Sequence, residues 1–188
     1  MDLDIKGKTA LVCGASAGLG FAAALALAQE GVRIAINSRS RENLEKAADS
    51  IAKSTGIKPA IAVGDLAIDG VAEEIVNNAI SHLGHIDILV ANAGGPPPGP
   101  FLNHSKDTWQ KAAGLTLFSN INLARAVVPG MQKNGWGRII FITSVAVKQP
   151  VDNLIISNSL RAGVTGFAKT LANETASFGI TVNTVCPG

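Results

Sequence analysis

The residues able to do chemistry sit in a glycine-rich turn, at the end of the second apolar run, and in a late segment of hydroxyls and cations. The turn reads Gly14-Ala15-Ser16-Ala17-Gly18-Leu19-Gly20, between a β-branched run and an alanine-rich helical stretch. Glycines there permit a tight turn, let the backbone approach a pyrophosphate and bring helix close to strand, while the helix start offers free N–H groups and a dipole that favours an anion. A plain strand-to-helix turn uses the same residues, so the turn alone is weak evidence. The second run ends Asn37-Ser38-Arg39 with no acid. A carboxylate there would bind ribose hydroxyls and repel a 2′-phosphate, whereas a guanidinium meets a phosphate bidentately or stacks on adenine. NADP(H) is therefore expected ahead of NAD(H), the plain alternative being a solvated surface arginine. The late segment reads Ser144, twelve residues, Ser157, three residues, Arg161, with Lys148 between, and the chain contains no tyrosine.

Elements that would position these groups follow from the apolar pattern. Short β-branched runs lie at 9–13, 32–37, 59–63, 87–91, 138–143 and 181–185. Amphipathic stretches at 18–30, 41–54, 70–83, 106–133 and 157–178 alternate with them, and Gly31, Gly56, Gly84 and Gly179 punctuate the boundaries. Runs that are apolar throughout indicate strands buried on both faces, as in a parallel sheet covered by helices. The pattern predicts an α/β fold: one doubly wound parallel sheet of about six strands within a single domain, residues 1–188.

Composition narrows the partners. With 16 basic and 14 acidic residues, no basic run and no aromatic interleaving, nucleic acid is a poor partner. No apolar stretch reaches the ~18 to 20 residues that span a bilayer, so no membrane segment is expected. The polar N-terminus, Met1 to Lys8, has no apolar core of a signal peptide, which makes cytoplasm the expected compartment. Cys13 and Cys186 each sit in an apolar run and read as buried free thiols rather than a disulfide or a metal site.

The three-then-one glycine spacing resembles that of the short-chain dehydrogenase/reductase family, and the chain is similar to its 3-oxoacyl-ACP reductase-like members. Further marks follow in order: Leu3 to Val12, the Gly64-Asp65-Leu66 turn, Ala91-Asn92-Ala93-Gly94, Gly137-Arg138-Ile139-Ile140 leading to Ser144, and Asn183 with Pro187-Gly188. Cys13 replaces the usual threonine before the glycines. The resemblance implies a Rossmann-type fold and a small-molecule substrate. It further implies nucleotide contacts from Gly14, Ser16, Ala17, Gly18, Leu19, Gly20, Ser38, Arg39, Asp65, Leu66, Asn92, Ala93, Gly94, Arg161, Pro187 and Gly188. A homodimer or homotetramer built on the long helix and the helix beginning near Ser157 is also implied. Relatives of this kind continue past Pro187-Gly188 through a substrate loop and one more strand, so a truncated product or fragment, with strand six an uncovered edge, is a further expectation.

In that family a serine and a tyrosine contact the substrate oxygen, a lysine holds the ribose and lowers the tyrosine pKa, and a helix asparagine helps hold a relay water. By resemblance Ser144 matches the serine, while Thr116, Ser157 and Arg161 stand at the asparagine, tyrosine and lysine positions. A serine hydroxyl is a far weaker acid than a phenol and reaches less far, and arginine stays charged, so neither replaces the proton shuttle. One reading is a reductase whose substrate needs little acid help, such as a conjugated enone whose enolate is held by hydrogen bonds. Ser144 is then the main donor, with Lys148 a substitute acid if burial lowers its pKa, or only an exposed loop lysine. His104, in the loop after strand four, could reach substrate, or cap or face solvent. The competing reading is a nucleotide-binding protein without turnover. The Gly94–Pro100 loop is a rigid connector or a pocket wall, and Trp109 and Trp136 read as packing at the ends of the long helix.

Overall fold

Alternate residues of β1 (Thr9–Val12) feed two different cores, which forces helices onto both faces of the sheet. The computed structural model describes residues 3–188; Met1 and Asp2, the start of the charged N-terminal stretch, lie outside them. The strands β1, β2 (Arg33–Ser38), β3 (Ala60–Val63), β4 (Ile88–Ala91), β5 (Gly137–Ile142) and β6 (Ile180–Val185) form one parallel sheet in the order β3-β2-β1-β4-β5-β6. Its register lines up Ala35, Leu11, Leu89, Ile139 and Val182 on one face. That face packs against α3 (Val71–Leu83), α5 (Ser119–Asn134) and α6 (Ile155–Thr175). On the other face Ile36, Val12 and Val90 meet α1 (Gly18–Gln29) and α2 (Arg41–Thr55). Phe141 and Phe167 tie β5 to α6 with ring centroids 5.9 Å apart.

The doubly wound α/β architecture is as the sequence predicts, with two differences. Only β1 and β4 are buried throughout; β6, an edge strand, alternates buried and exposed residues, and Val63 of the opposite edge is exposed. The single helix expected over 106–133 is α4 (Lys106–Ala113), a π-helical turn (Gly114–Phe118) and α5. Side chains stabilise that wide turn. The Ser119 hydroxyl donates to the Leu115 carbonyl, and Asn120 Nδ2 donates to the Thr116 carbonyl at 2.6 Å. Gly114 lets the turn approach the β3–α3 connection, since a Cβ there would stand 3.2 Å from the Ala67 carbonyl oxygen. Trp136 lies outside the helix, with Lys8 Nζ 4.2 Å and Arg138 Cζ 4.3 Å from its ring centroid. Among the described residues no helix is long and apolar enough to cross a membrane.

Both cysteines are free. Cys13 is fully buried at the end of β1, and desolvation of the thiolate pushes its thiol up to about 12, whereas Cys186 is half-buried. An alkylating thiol reagent at pH 8 is therefore expected to label Cys186 in the native protein and Cys13 only on unfolding; equal labelling rates would contradict this burial. The unfolded thiol ionises from pH 9. Hence the stability that burying the neutral thiol contributes is intact below pH 9 and lost as pH rises toward 12.

Candidate active site

The chain leaves β1 to build one edge of the sheet, then crosses back to place β4 on the other side of β1, which opens a crevice at the carboxyl ends of the strands. A cleft along this rim is lined by Gly14 and Ser16 after β1, Ser38 and Arg39 after β2, Asp65 and Leu66 after β3, and Asn92 to Gly94 after β4. The turn that shapes it is locked to its neighbours: Cys13 N–H donates to the Val90 carbonyl at 2.9 Å, Ala15 N–H to the Asn37 carbonyl at 3.0 Å, and Asn92 Nδ2 to the Gly14 carbonyl at 3.4 Å. Asn37 Nδ2 in turn bridges the carbonyls of Ala62 and Gly64 at 2.9 and 3.2 Å.

The shape of the turn suits a dinucleotide. Gly18 has φ +59° and open space where a Cβ would project. Ala17 supplies no side-chain cap to α1, and the first turn of that helix carries no acidic residue. The N–H groups at its start are thus unmet by protein side chains in a favourable dipole, the arrangement an anion occupies. Leu19 is exposed beside them.

At the end of β5 the structure gathers the hydroxyl and cationic groups. Ser144 caps a short 3₁₀ turn (Val145–Val147): its Oγ accepts from Ala146 N–H at 3.2 Å, and its own proton has no acceptor among the described residues. The Pro187 carbonyl accepts from Val145 N–H at 2.8 Å, which fastens the segment after β6 to this turn. Arg161, on α6, points Nη1 at the carbonyls of Ile142 and Thr143, at 3.0 and 2.9 Å, and burial lowers its pKa from the ordinary guanidinium value. Both Nη1 protons are committed to the end of β5, leaving Nε and Nη2 for other partners; Nη2 lies beside Gly95. Ser157 is buried near the start of α6. Thr116 is buried in the π-turn, and its Oγ1 is the one buried side-chain oxygen without a partner among the described residues.

One sequence expectation needs correction here. Lys148 is exposed, so the burial on which its reading as a substitute acid rested is absent. Of the alternatives for His104, the contact with its own loop is the one present: Nε2 lies 3.1 Å from the Gly99 carbonyl oxygen. Pro187 and Gly188 lie off the cleft lining, at the β6 end. Conversely, Ser40, Asn43 and Leu115 line the cleft without having been singled out. For Ser40 and Asn43 a signal was present, because a serine three residues before a side chain at a helix start is a capping pattern, and Ser40 Oγ accepts from Asn43 N–H at 3.3 Å. Leu115 is brought in by the π-turn, which the sequence pattern conceals.

A family model for short chain dehydrogenases matches residues 8–188. The chain belongs to that family. Within the short-chain dehydrogenases it is 36% identical over 186 residues to a 3-oxoacyl-[acyl-carrier-protein] reductase of Pseudomonas aeruginosa, covering 99% of this chain and 75% of that protein. Among solved structures, L-sorbose reductase from Gluconobacter frateurii, in complex with NADPH and L-sorbose, superposes with a TM-score of 0.96 at 34% identity, over 100% of this chain and 72% of that one. An NAD⁺-bound xylitol dehydrogenase superposes with a TM-score of 0.93 at 28% identity, over 98% of this chain and 71% of that one.

Proposed function

We propose that this short-chain dehydrogenase is an NADP(H)-dependent oxidoreductase that reduces a carbonyl or conjugated enone of a small molecule, acting as a homodimer or homotetramer. The observation that carries the reading is Ser144, whose hydroxyl proton is unspent after β5, on the same carboxyl-end rim of the parallel sheet as the glycine turn after β1. The bound nicotinamide nucleotide supplies the hydride. Gly14 to Gly20 would hold its pyrophosphate, Ser38 and Arg39 a ribose phosphate, Asp65 and Leu66 the adenine, and Asn92 to Gly94 with Arg161 the nicotinamide side. Ser144 donates its hydrogen bond to the substrate oxygen as negative charge develops there, and the Arg161 charge behind the ends of β5 favours that build-up. Ser157 and Thr116 shape the buried side of the pocket. An enone suits this equipment best, because hydride addition to carbon leaves an enolate that hydrogen bonds can hold until solvent protonates it.

Arg39 is the residue that supports NADP(H). It is exposed at the end of β2, so a phosphate there meets a guanidinium. A charge-assisted contact of ~1.5–3 kcal/mol corresponds to roughly 10- to 100-fold in affinity. Titrating both cofactors should therefore show Arg39→Ala weakening NADPH by at least about tenfold, with NADH little changed. Equal affinities of the wild type for the two would contradict the assignment. A silent nucleotide binder is the second reading, favoured by one observation: the cation at the lysine position spends Nη1 on backbone carbonyls.

A further inference from the structure

The loops that follow β4 and β5 are fastened to each other at one point. Gly99 N–H donates to the Asn153 carbonyl at 2.6 Å, and Gly99 pairs with Leu154 as an isolated parallel bridge. Gly99 has φ +146°, a conformation that side-chain-bearing residues avoid, and a Cβ there would stand 3.0 Å from His104 Cε1 and Nε2. The opposite side of the same residue is braced by His104, whose Nε2–H donates to the Gly99 carbonyl at 3.1 Å. Asn153 is itself left-handed, with φ +59°. Behind it, Asn158 clasps Val151, accepting from its N–H at 3.3 Å and donating to its carbonyl at 2.9 Å. The joined loops span the carboxyl ends of β4 and β5. At one end the first loop supplies Gly94 to the cleft and passes Arg161 Nη2 at Gly95; the second begins at Ser144.

Three consecutive prolines, Pro96 to Pro98, stiffen the stretch between Gly95 and Gly99. A stiff segment transmits position, so fixing Gly99 constrains Gly95, which Arg161 Nη2 passes. We propose that His104 is a specificity-determining positioning residue: by holding the Gly99 carbonyl it keeps the proline loop joined to the 151–154 segment and sets how bulky a substrate the pocket admits. The inference rests on the reductase reading. A carbonyl oxygen only accepts, so Nε2 carries the proton in this contact.

The test uses the full chain, NADPH and paired small and bulky enones and ketones. His104→Ala is expected to raise KM for the preferred substrate several-fold with kcat within about twofold, to narrow the preference between small and bulky members, and to leave NADPH affinity unchanged. His104→Gln, whose amide N–H can reach the same carbonyl, should restore the wild-type preference, and His104→Asn should not. Unchanged KM and preference in His104→Ala, with an active wild type, would overturn the proposal. If the wild type reduces nothing, the reductase reading fails on its own, and amide hydrogen exchange then judges the brace. Faster exchange at Gly99 in His104→Ala than in wild type or His104→Gln supports it, and equal exchange in all three overturns it.

Discussion

Gly20→Ala is expected to lower stability by about 3 kcal/mol or more, the upper end of overpacking costs, and to abolish measurable nucleotide binding. A Cβ at this position would stand 2.2 Å from the Gly14 carbonyl oxygen, 2.7 Å from its carbon and 2.9 Å from the Cys13 carbonyl oxygen. All three are backbone atoms, and the Cys13 N–H is itself pinned to Val90. No side chain can move aside. Either α1 lifts from the sheet, loosening Ala24 and Ala28 from the core, or the glycine turn opens; both displace the N–H groups at the start of the helix. For a chain of this size that corresponds to a melting shift of roughly 6–12 °C, read by thermal or denaturant unfolding. Gly18→Ala is the control. Nothing lies within 4 Å of a Cβ there, so only the left-handed φ of +59° opposes it, at about 1–2 kcal/mol. It should stay folded while its methyl intrudes on the anion cradle and weakens NADPH. Wild-type melting in Gly20→Ala would contradict this account of the turn.

Ser144→Ala is expected to lower kcat by about 100-fold, the loss typical of removing one donor to a developing oxyanion. The protein should lose only about 1 kcal/mol of stability, because the Oγ makes one capping contact, to Ala146 N–H. Steady-state rates with saturating NADPH, alongside a melting curve, separate the two effects. A variant that reduced enones at the wild-type rate would remove Ser144 from the chemistry.

How far the sequence reveals this molecule varies with the kind of signal. The strands are legible from their β-branched apolar runs and the glycine turn from its place directly after the first of them, and the absence of an acid after β2 is visible in Asn37-Ser38-Arg39. The π-turn is hidden: the apolar period of 106–133 continues through it, and the turn depends on Ser119 and Asn120 side chains reaching carbonyls one turn back. The position of Arg161 in the chain is legible by resemblance, but its commitment to the Ile142 and Thr143 carbonyls depends on the approach of α6 to the end of β5. For His104 the sequence leaves the partner open. Its partner is the backbone of Gly99, five residues earlier, and no side-chain pattern announces a carbonyl.

Without a tyrosine, this short-chain dehydrogenase is still expected to transfer hydride. Anaerobic mixing of the purified chain with NADPH and a mixed library of carbonyl and enone compounds tests it most directly, following cofactor absorbance and product mass together. Loss of NADPH matched by a product two mass units heavier, fastest with enones, is the expected result. NADPH bound but unconsumed across the whole library would contradict the claim and leave a silent nucleotide-binding protein.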